Sequence, residues 1–397
     1  MSGYFDDLET RSADAREAAQ LAAFNSLRAA RGEAPLADLG ALATLPVLRK
    51  SELVARQAEQ PPFGGLPVSN VAHVFQSPGP IYEPGGVSHD WWRMGRFLKA
   101  CGIGPGDIVQ NCFGYHLTPA GMIFESGARA VGATVLPAGT GQTELQVRAA
   151  KDVGVTAYAG TPDFLKVILE KADEMGVSLG ITRAGVGGGA LFPSLRAWYA
   201  ERGITCLQCY ATADLGNIAY ESPNPADPMA APEGMILDEH VIVEIVTPGT
   251  GDPVPEGEVG EVVVTSLNPD YPLVRFATGD LSAILPGQSA CGRTNTRIKG
   301  WMGRADQTTK IKGMFVRPEQ VADLVARHAE IDRARVVASR AGERDVMTVR
   351  IETVATDPAP FAATVSEVLK LKGEIELVSP GALPRDGLVI EDARSYD

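Results

Sequence analysis

The chain of 397 residues is marked first by what it lacks. No uninterrupted apolar run approaches the roughly 20 residues of a spanning helix, so a helical membrane span is excluded. There is no surplus of positive charge: 36 Lys and Arg face 49 Asp and Glu, a formal net charge of -13. That balance disfavours nucleic acid or an anionic membrane as the main partner. There is no even set of cysteines either, because Cys101, Cys112, Cys206, Cys209 and Cys291 number five. With no stretch that reads as a signal peptide, a reduced, cytoplasmic setting is expected. Cys206-Leu-Gln-Cys209 has zinc-knuckle spacing and Cys291 is a third candidate ligand for zinc. A second C-x-x-C and a clear His partner are missing, and half-buried thiols on a strand are the other reading. Small-molecule chemistry in two or three domains is what these exclusions leave.

What is present is an alternation of strands and helices. Apolar spacing predicts a helix over 11–31, with Ala15, Ala18, Ala19, Ala22, Ala23 and Leu27 on one face, Thr10 or Ser12 as cap and Gly32 as stop. A strand over 70–75 and a helix over 90–101 follow. Strands at 107–111, 134–137, 155–159 and 181–186 then alternate with helices at 119–131, 143–153 and 162–175. That pattern argues a parallel sheet with helices on both faces, whose ligands gather at the carboxyl ends of the strands. Residues 235–275 read as β-rich. From about 303 to 397 the pattern becomes α+β, with helices at 318–327 and 360–371 and strands at 335–339, 347–352 and 375–378.

The densest chemistry lies between Pro272 and Pro318. Thr278-Gly279-Asp280 places a carboxylate just past a strand, Gly303-Arg304-Ala305-Asp306 brings a cation and a second acid, and Lys310-Ile311-Lys312-Gly313 is a basic turn. A carboxylate followed by Arg and Lys on the next turns suits ribose hydroxyls and phosphate charge. Upstream, Phe113-Gly114-Tyr115-His116 and Pro137-Ala138-Gly139-Thr140-Gly141-Gln142 follow two strands. Aromatics at strand ends are more often plain core than pocket walls, and the lone His116 reads as a structural histidine. Gly187-Gly188-Gly189 after another strand requires a close backbone approach.

The ordered series TGD, LPG, GRT, GRAD, KIKG and a Pro318-Glu319-Gln320-Val321 helix start resembles the hinge region of adenylate-forming enzymes, in the phenylacetate-CoA ligase branch. Leu45 to Leu53 is similar to that branch's LP-x-x-x-K-x-[DE]-L segment, Gly141-Gln142-Thr143-Glu144 to its G-Q-T-E, and Glu258 to Thr265 to its G-E-[LIV]-V segment. The resemblance implies a large N-terminal domain, 1–302, of parallel sheets with a small β-barrel, followed by a small mobile α+β lid, 303–397. It implies that Asp280 holds ribose, that Arg304 contacts ribose or phosphate, and that the lid pivots at Asp306. Lys312 would swing to the thioester channel. Gly188, Gly189 and Tyr210 would lie against adenine, Thr212 near the α-phosphate, and Asp214 would stand in for a magnesium-binding Glu. Phe113, Tyr115, Gly139, Thr140 and Gly141 would line an acyl pocket.

Ligands implied by the resemblance are ATP or AMP, Mg2+, coenzyme A and an aromatic or related carboxylic acid, in a protein whose relatives are often homodimers. Departures from the family cluster at the phosphates. Where the branch has S-S-G-T-T-G-K-P, this chain has Ser77-Pro78-Gly79-Pro80-Ile81-Tyr82-Glu83-Pro84, in which only Ser77, Gly79 and Pro84 match. Two prolines remove N–H donors there, and Glu83 brings an anion where a cation is usual. The C-terminal P-R-x-x-G-K lysine is replaced by Leu388. The reading from sequence is an AMP-forming CoA ligase. The alternative is a catalytically impaired homologue that binds nucleotide or acyl-CoA, or performs only the thioester half-reaction.

Overall fold

The computed structural model describes residues 3–394 apart from 78, 306, 308, 313, 342 and 343, and apart from the side chains of 310, 315 and 341. Asp306 and Gly313 of the expected hinge region therefore lie outside the described residues.

A nine-stranded sheet forms the centre. Its strands run in the order Ile284–Leu285, Arg297–Ile298, Met235–Leu237, Gly216–Tyr220, Thr205–Thr212, Arg183–Val186, Ala157–Gly160, Ile108–Asn111 and Thr134–Pro137. From Thr205–Thr212 to Thr134–Pro137 every pairing is parallel, as the strand and helix alternation predicts. The helices Ala120–Ala130, Thr143–Val153, Pro162–Glu174 and Pro193–Glu201 cover both faces, and the last was not read from sequence. Proline begins two of them, where its missing N–H costs nothing. Alternation along the strands shows the two faces directly: Ala157 and Ala159 enter one core with Phe97 and Phe124, while Tyr158 enters another with Leu165 and Tyr199.

The same alternation separates the two cysteines of Cys206-Leu-Gln-Cys209. Three residues apart on one strand, they point to opposite faces, Cys206 into one core and Cys209 into the other. A knuckle needs a turn between its ligands, so the zinc reading fails here; among the described residues no three His, Cys, Asp or Glu come together to hold a metal.

The first helix, Ala13–Ala30, is capped by Ser12, whose Oγ accepts from the Ala15 N–H at 3.2 Å. The helix expected over 90–101 is shorter, Gly95–Ala100. Asp90 and Arg93 adopt left-handed backbone angles, and the Asp90 carboxylate accepts from the Gly95 N–H at 2.9 Å, so the helix cannot start earlier. The expected small barrel is an open four-stranded sheet, Leu48–Arg49, Phe276–Ser282, Gly260–Ser266 and Val241–Val246. Its edge strands, the first and last of these, do not pair with each other.

Toward the C-terminus, strands Ile331–Ala341 and Arg344–Thr353 pair in one long hairpin, flanked by Ile390–Asp392 and Glu374–Val378. The helices Pro318–Ala326 and Ala359–Leu369 pack on it around Val336, Val349, Ile351, Phe361 and Val365, a core separate from that of the large sheet.

Candidate active site

Asp280 sits near the end of Phe276–Ser282, in the open sheet, facing the last turn of Thr205–Thr212 from the large one. Gly279 before it has φ +75, a left-handed angle that favours glycine, and the Arg304 guanidinium lies close over this turn. Arg304 Nη1 donates to Asp280 Oδ1 at 2.8 Å, and Trp301 Nε1 donates to the same oxygen at 3.1 Å. Tyr210 Oη donates to Asp280 Oδ2 at 2.9 Å and reaches Thr278 Oγ1 at 3.1 Å. Burial, and then the Asp280 charge, push the Tyr210 phenol well above its ordinary pKa, so it remains a donor. Tyr210, Asp280 and Arg304 thus form one cluster, as the sequence reading requires. Trp301 was missed, and no spacing signal marks it; Thr278 was read as part of the TGD turn, without a role of its own.

Asp214 lies in the turn between Thr205–Thr212 and Gly216–Tyr220. The nearby Thr212 Oγ1 accepts from the Leu215 N–H at 3.2 Å. Asp214 is buried, and Lys50 Nζ donates to its Oδ2 at 2.6 Å. Lys50 begins the helix Lys50–Glu59 directly after Leu48–Arg49, a strand that pairs in parallel with Phe276 and Ala277 of the Asp280 strand. The sequence segment Leu45 to Leu53 supports the family and gives no hint that its lysine reaches Asp214 across the fold.

Ser77 and Glu83 face each other. The stretch expected to be a phosphate loop is a hairpin, His73–Ser77 paired with Ile81–Gly85, which leaves Gly79 and Pro80 as the described residues of its short connection. Glu83 lies on the returning strand with its side chain turned inward, and the Ser77 hydroxyl donates to Glu83 Oε1. Burial first, then the neighbouring Asp214 charge, push the Glu83 carboxyl up to about 8. Glu83 Oε2, Asp214 Oδ1 and Tyr271 Oη are all closed to solvent without a hydrogen-bond partner.

The acyl-side residues gather around Asn111, which sequence reasoning did not single out. Its Nδ2 donates to Tyr115 Oη and to the Gly121 carbonyl, each at 2.8 Å, and its Oδ1 accepts from the Phe113 N–H at 3.2 Å. Its own carbonyl accepts from the Gly139 N–H at 3.0 Å. Gln146 Nε2 holds the same loop by the Gly139 and Gly141 carbonyls at 3.0 and 2.7 Å, while Thr140 is exposed. Phe113 is buried and stacked on Phe124, ring centroids 4.2 Å apart, so it lies on the core side of any pocket wall. Gly188 approaches the Phe113 ring, and the Gly189 carbonyl accepts from Gln208 Nε2 at 2.9 Å, which ties this glycine run to the strand carrying Tyr210. His116 is exposed.

Lys312 stands apart from these residues. It is an exposed turn residue with φ +48, between Thr309–Ile311 and Met314–Val316, and its N–H donates to Asp345 Oδ2 at 3.0 Å.

The AMP-binding enzyme family model matches residues 114–268. The phenylacetate-coenzyme A ligase of Thermus thermophilus is 30% identical over 326 residues, 78% of this chain and 72% of the relative. The chain belongs to the phenylacetate-CoA ligase family of AMP-binding enzymes. The ligase of the same name from Pseudomonas putida is 29% identical over 380 residues, 87% of this chain and 84% of its own length. In fold, this family member is similar to a 2-hydroxyisobutyryl-CoA ligase solved with 2-HIB-AMP in the postadenylation state. The TM-score is 0.69 at 23% identity, over 98% of this chain and 92% of that one.

Proposed function

We propose that the chain is an AMP-forming CoA ligase that joins an aromatic or related carboxylic acid to coenzyme A through an acyl-adenylate. The observation that carries the reading is the Asp280 carboxylate, held by Tyr210 and Arg304 beside the ends of the parallel strands. Two carboxylate oxygens that accept from protein donors can accept from a pair of ribose hydroxyls in the same way. Arg304, whose side chain is 55% exposed, stays close enough to solvent to meet ribose or phosphate.

In the first half-reaction an oxygen of the acid's carboxylate attacks the α-phosphorus of ATP, the bond to the β-phosphate oxygen breaks, and pyrophosphate leaves. In the second, the CoA sulfur attacks the acyl carbon, the acyl–oxygen bond breaks and AMP leaves; the thiol proton goes to solvent. Neither step needs a covalent group of the protein, so placement and charge carry both. Thr212 and Tyr210 stand on the strand facing Asp280 and would flank the nucleotide. The loop at Gly139, Thr140 and Gly141 with Tyr115 would border the acid. Residues 1–302 would form the binding lobe and 303–397 a lid, with Asp306 as pivot and the Lys312 turn carried toward the CoA thiol. The cytoplasm, where ATP and CoA are held, is the compartment this reading calls for.

Magnesium at Asp214 does not fit the residues present. One Asp214 oxygen is taken by Lys50 and the other is closed to solvent, whereas Mg2+ keeps several waters in an octahedral shell. The inward-facing Glu83 and the Leu388 at the C-terminal lysine position favour the second reading, in which only thioester formation survives. Pyrophosphate release is measured with MgATP and a panel of aryl and short-chain acids, and thioester formation with supplied acyl-adenylates and CoA. Both products support the ligase, thioester alone selects the second reading, and neither product defeats both.

A further inference from the structure

Lys50 enters the site from a part of the chain far from every nucleotide motif, yet its geometry is tightly set. The strand Leu48–Arg49 is locked in register, Leu48 against Phe276 and Arg49 against Ala277, only three residues before Asp280. Arg49 Nη1 donates to Glu261 Oε2 at 2.9 Å, which fixes the residue before Lys50 to the same sheet. The helix Lys50–Glu59 then begins, and the Lys50 side chain crosses to Asp214 at 2.6 Å. Its side chain is 28% exposed while that of Asp214 is 0% exposed. The ammonium therefore lies on the solvent side of the carboxylate. It has three N–H donors, and the pairing with Asp214 uses one.

A divalent ion on the same carboxylate would bring a second cation against this ammonium where little water screens the repulsion. The carboxylate of Glu83 stands on the hairpin where the resemblance places a lysine, and Lys50 is among the charges that act on it. The resemblance implies a lysine at position 50 as well as on the hairpin, so this chain keeps the cation at the start of the helix Lys50–Glu59 and lacks the one on the hairpin.

We propose that Lys50 is the resident cation of the phosphate end of this site, so that nucleotide phosphate is held by its ammonium, oriented by Asp214, without a divalent metal. This rests on the ligase reading, because it assigns the Asp280 side to the nucleoside. Lys50 is a positioning residue for Asp214 in the free protein and a phosphate donor in the complex.

The test is calorimetric titration of the full chain with AMP, and separately with ATP, once with Mg2+ and once with a chelator. The proposal expects the same AMP affinity in both buffers. It expects Lys50→Met, which keeps the length and removes the charge, to weaken AMP binding roughly tenfold or more, the loss of one charge-assisted hydrogen bond. Lys50→Arg should keep most of that affinity. A roughly tenfold gain in AMP or ATP affinity on adding Mg2+ would overturn the proposal, by the measure that tenfold is about one such bond. So would unchanged AMP binding in Lys50→Met. The comparison of buffers uses the unaltered protein, so a variant that folds poorly does not remove the test. Adenosine separates this inference from the reading beneath it. If adenosine binds and is lost in Asp280→Ala while AMP gains nothing over adenosine, the Lys50 inference fails and the ligase reading stands. If neither adenosine nor AMP binds, both fail.

Discussion

Asp280 concentrates three donors on two oxygens, and each bond is charge-assisted because the acceptor is ionised. Removing the carboxylate takes away every acceptor at once. Asp280→Ala is expected to lower adenosine or AMP affinity by about 1.5–3 kcal/mol, roughly 10- to 150-fold, measured by calorimetry. Asp280→Asn, which keeps one acceptor oxygen, should fall between the two proteins. Glu83 makes a different kind of prediction, because its folded-state pKa of about 8 lies above the ordinary value of 4.5. Between those values the folded chain binds a proton that the unfolded chain has released, so stability falls as pH rises through the window and levels off above about 8. Each unit of displacement corresponds to about 1.4 kcal/mol. Glu9, Asp90 and Glu221 are raised in the same sense, again chiefly by burial, so the informative quantity is a difference. Denaturant midpoints of the parent should decline between about pH 5 and about pH 8 more steeply than those of Glu83→Gln. Equal slopes would show that Glu83 ionises in the folded state as it does in the unfolded one.

At the scale of the element, the turn that carries Asp214 depends on Gly216. Its φ is +71, and a Cβ there would stand 2.6 Å from the Trp92 carbonyl oxygen, a backbone atom that cannot rotate away. Gly216→Ala is expected to cost about 2 kcal/mol or more, from the left-handed angle and the contact together, read as a lower melting temperature. If that substitution left the melting temperature unchanged, the turn could not have the conformation described. Much of the architecture around this turn was legible before the fold was seen. The inner parallel strands Ile108–Asn111, Ala157–Gly160 and Arg183–Val186 are short runs set between helices and are largely buried, whereas the edge strand Thr134–Pro137 is not. The hairpin at His73–Ser77 and Ile81–Gly85 was not legible, because motif matching asks for a loop while the strand pattern of Ile81 to Gly85 turns Glu83 inward. The pairing of Tyr210 with Asp280 was legible through the resemblance of two motifs to one family. That of Lys50 with Asp214 joins positions 164 residues apart and has no local signature.

For the whole molecule, the question is what holds the C-terminal residues to the rest. The segment just before Ile390–Asp392 is gripped by one side chain: Gln307 Nε2 donates to the Gly387 carbonyl at 2.9 Å, and its Oε1 accepts from the N–H groups of Val389 and Ile390 at 2.6 and 2.8 Å. Gly387 packs against Val259 and Leu281 of the open sheet, and Arg385 pairs with Glu258 at its edge. The Arg385 pair is half exposed, and such pairs contribute only about 0–1 kcal/mol. Gln307 supplies both a donor and an acceptor to backbone groups that would otherwise be left unpaired, each costing about 1–3 kcal/mol if buried. It follows that Gln307→Ala should loosen this segment while Arg385→Ala barely changes it. Amide exchange at 387–390 is the measurement, since local opening is read there without unfolding the large sheet. Faster exchange in Gln307→Ala, with the amides of Thr205–Thr212 unchanged, would place the release at the seam between the two cores. Exchange accelerated equally in both regions would mean that the C-terminal core and the large sheet open together, and a lid that swings about residues near 306 would then have no independent motion to use.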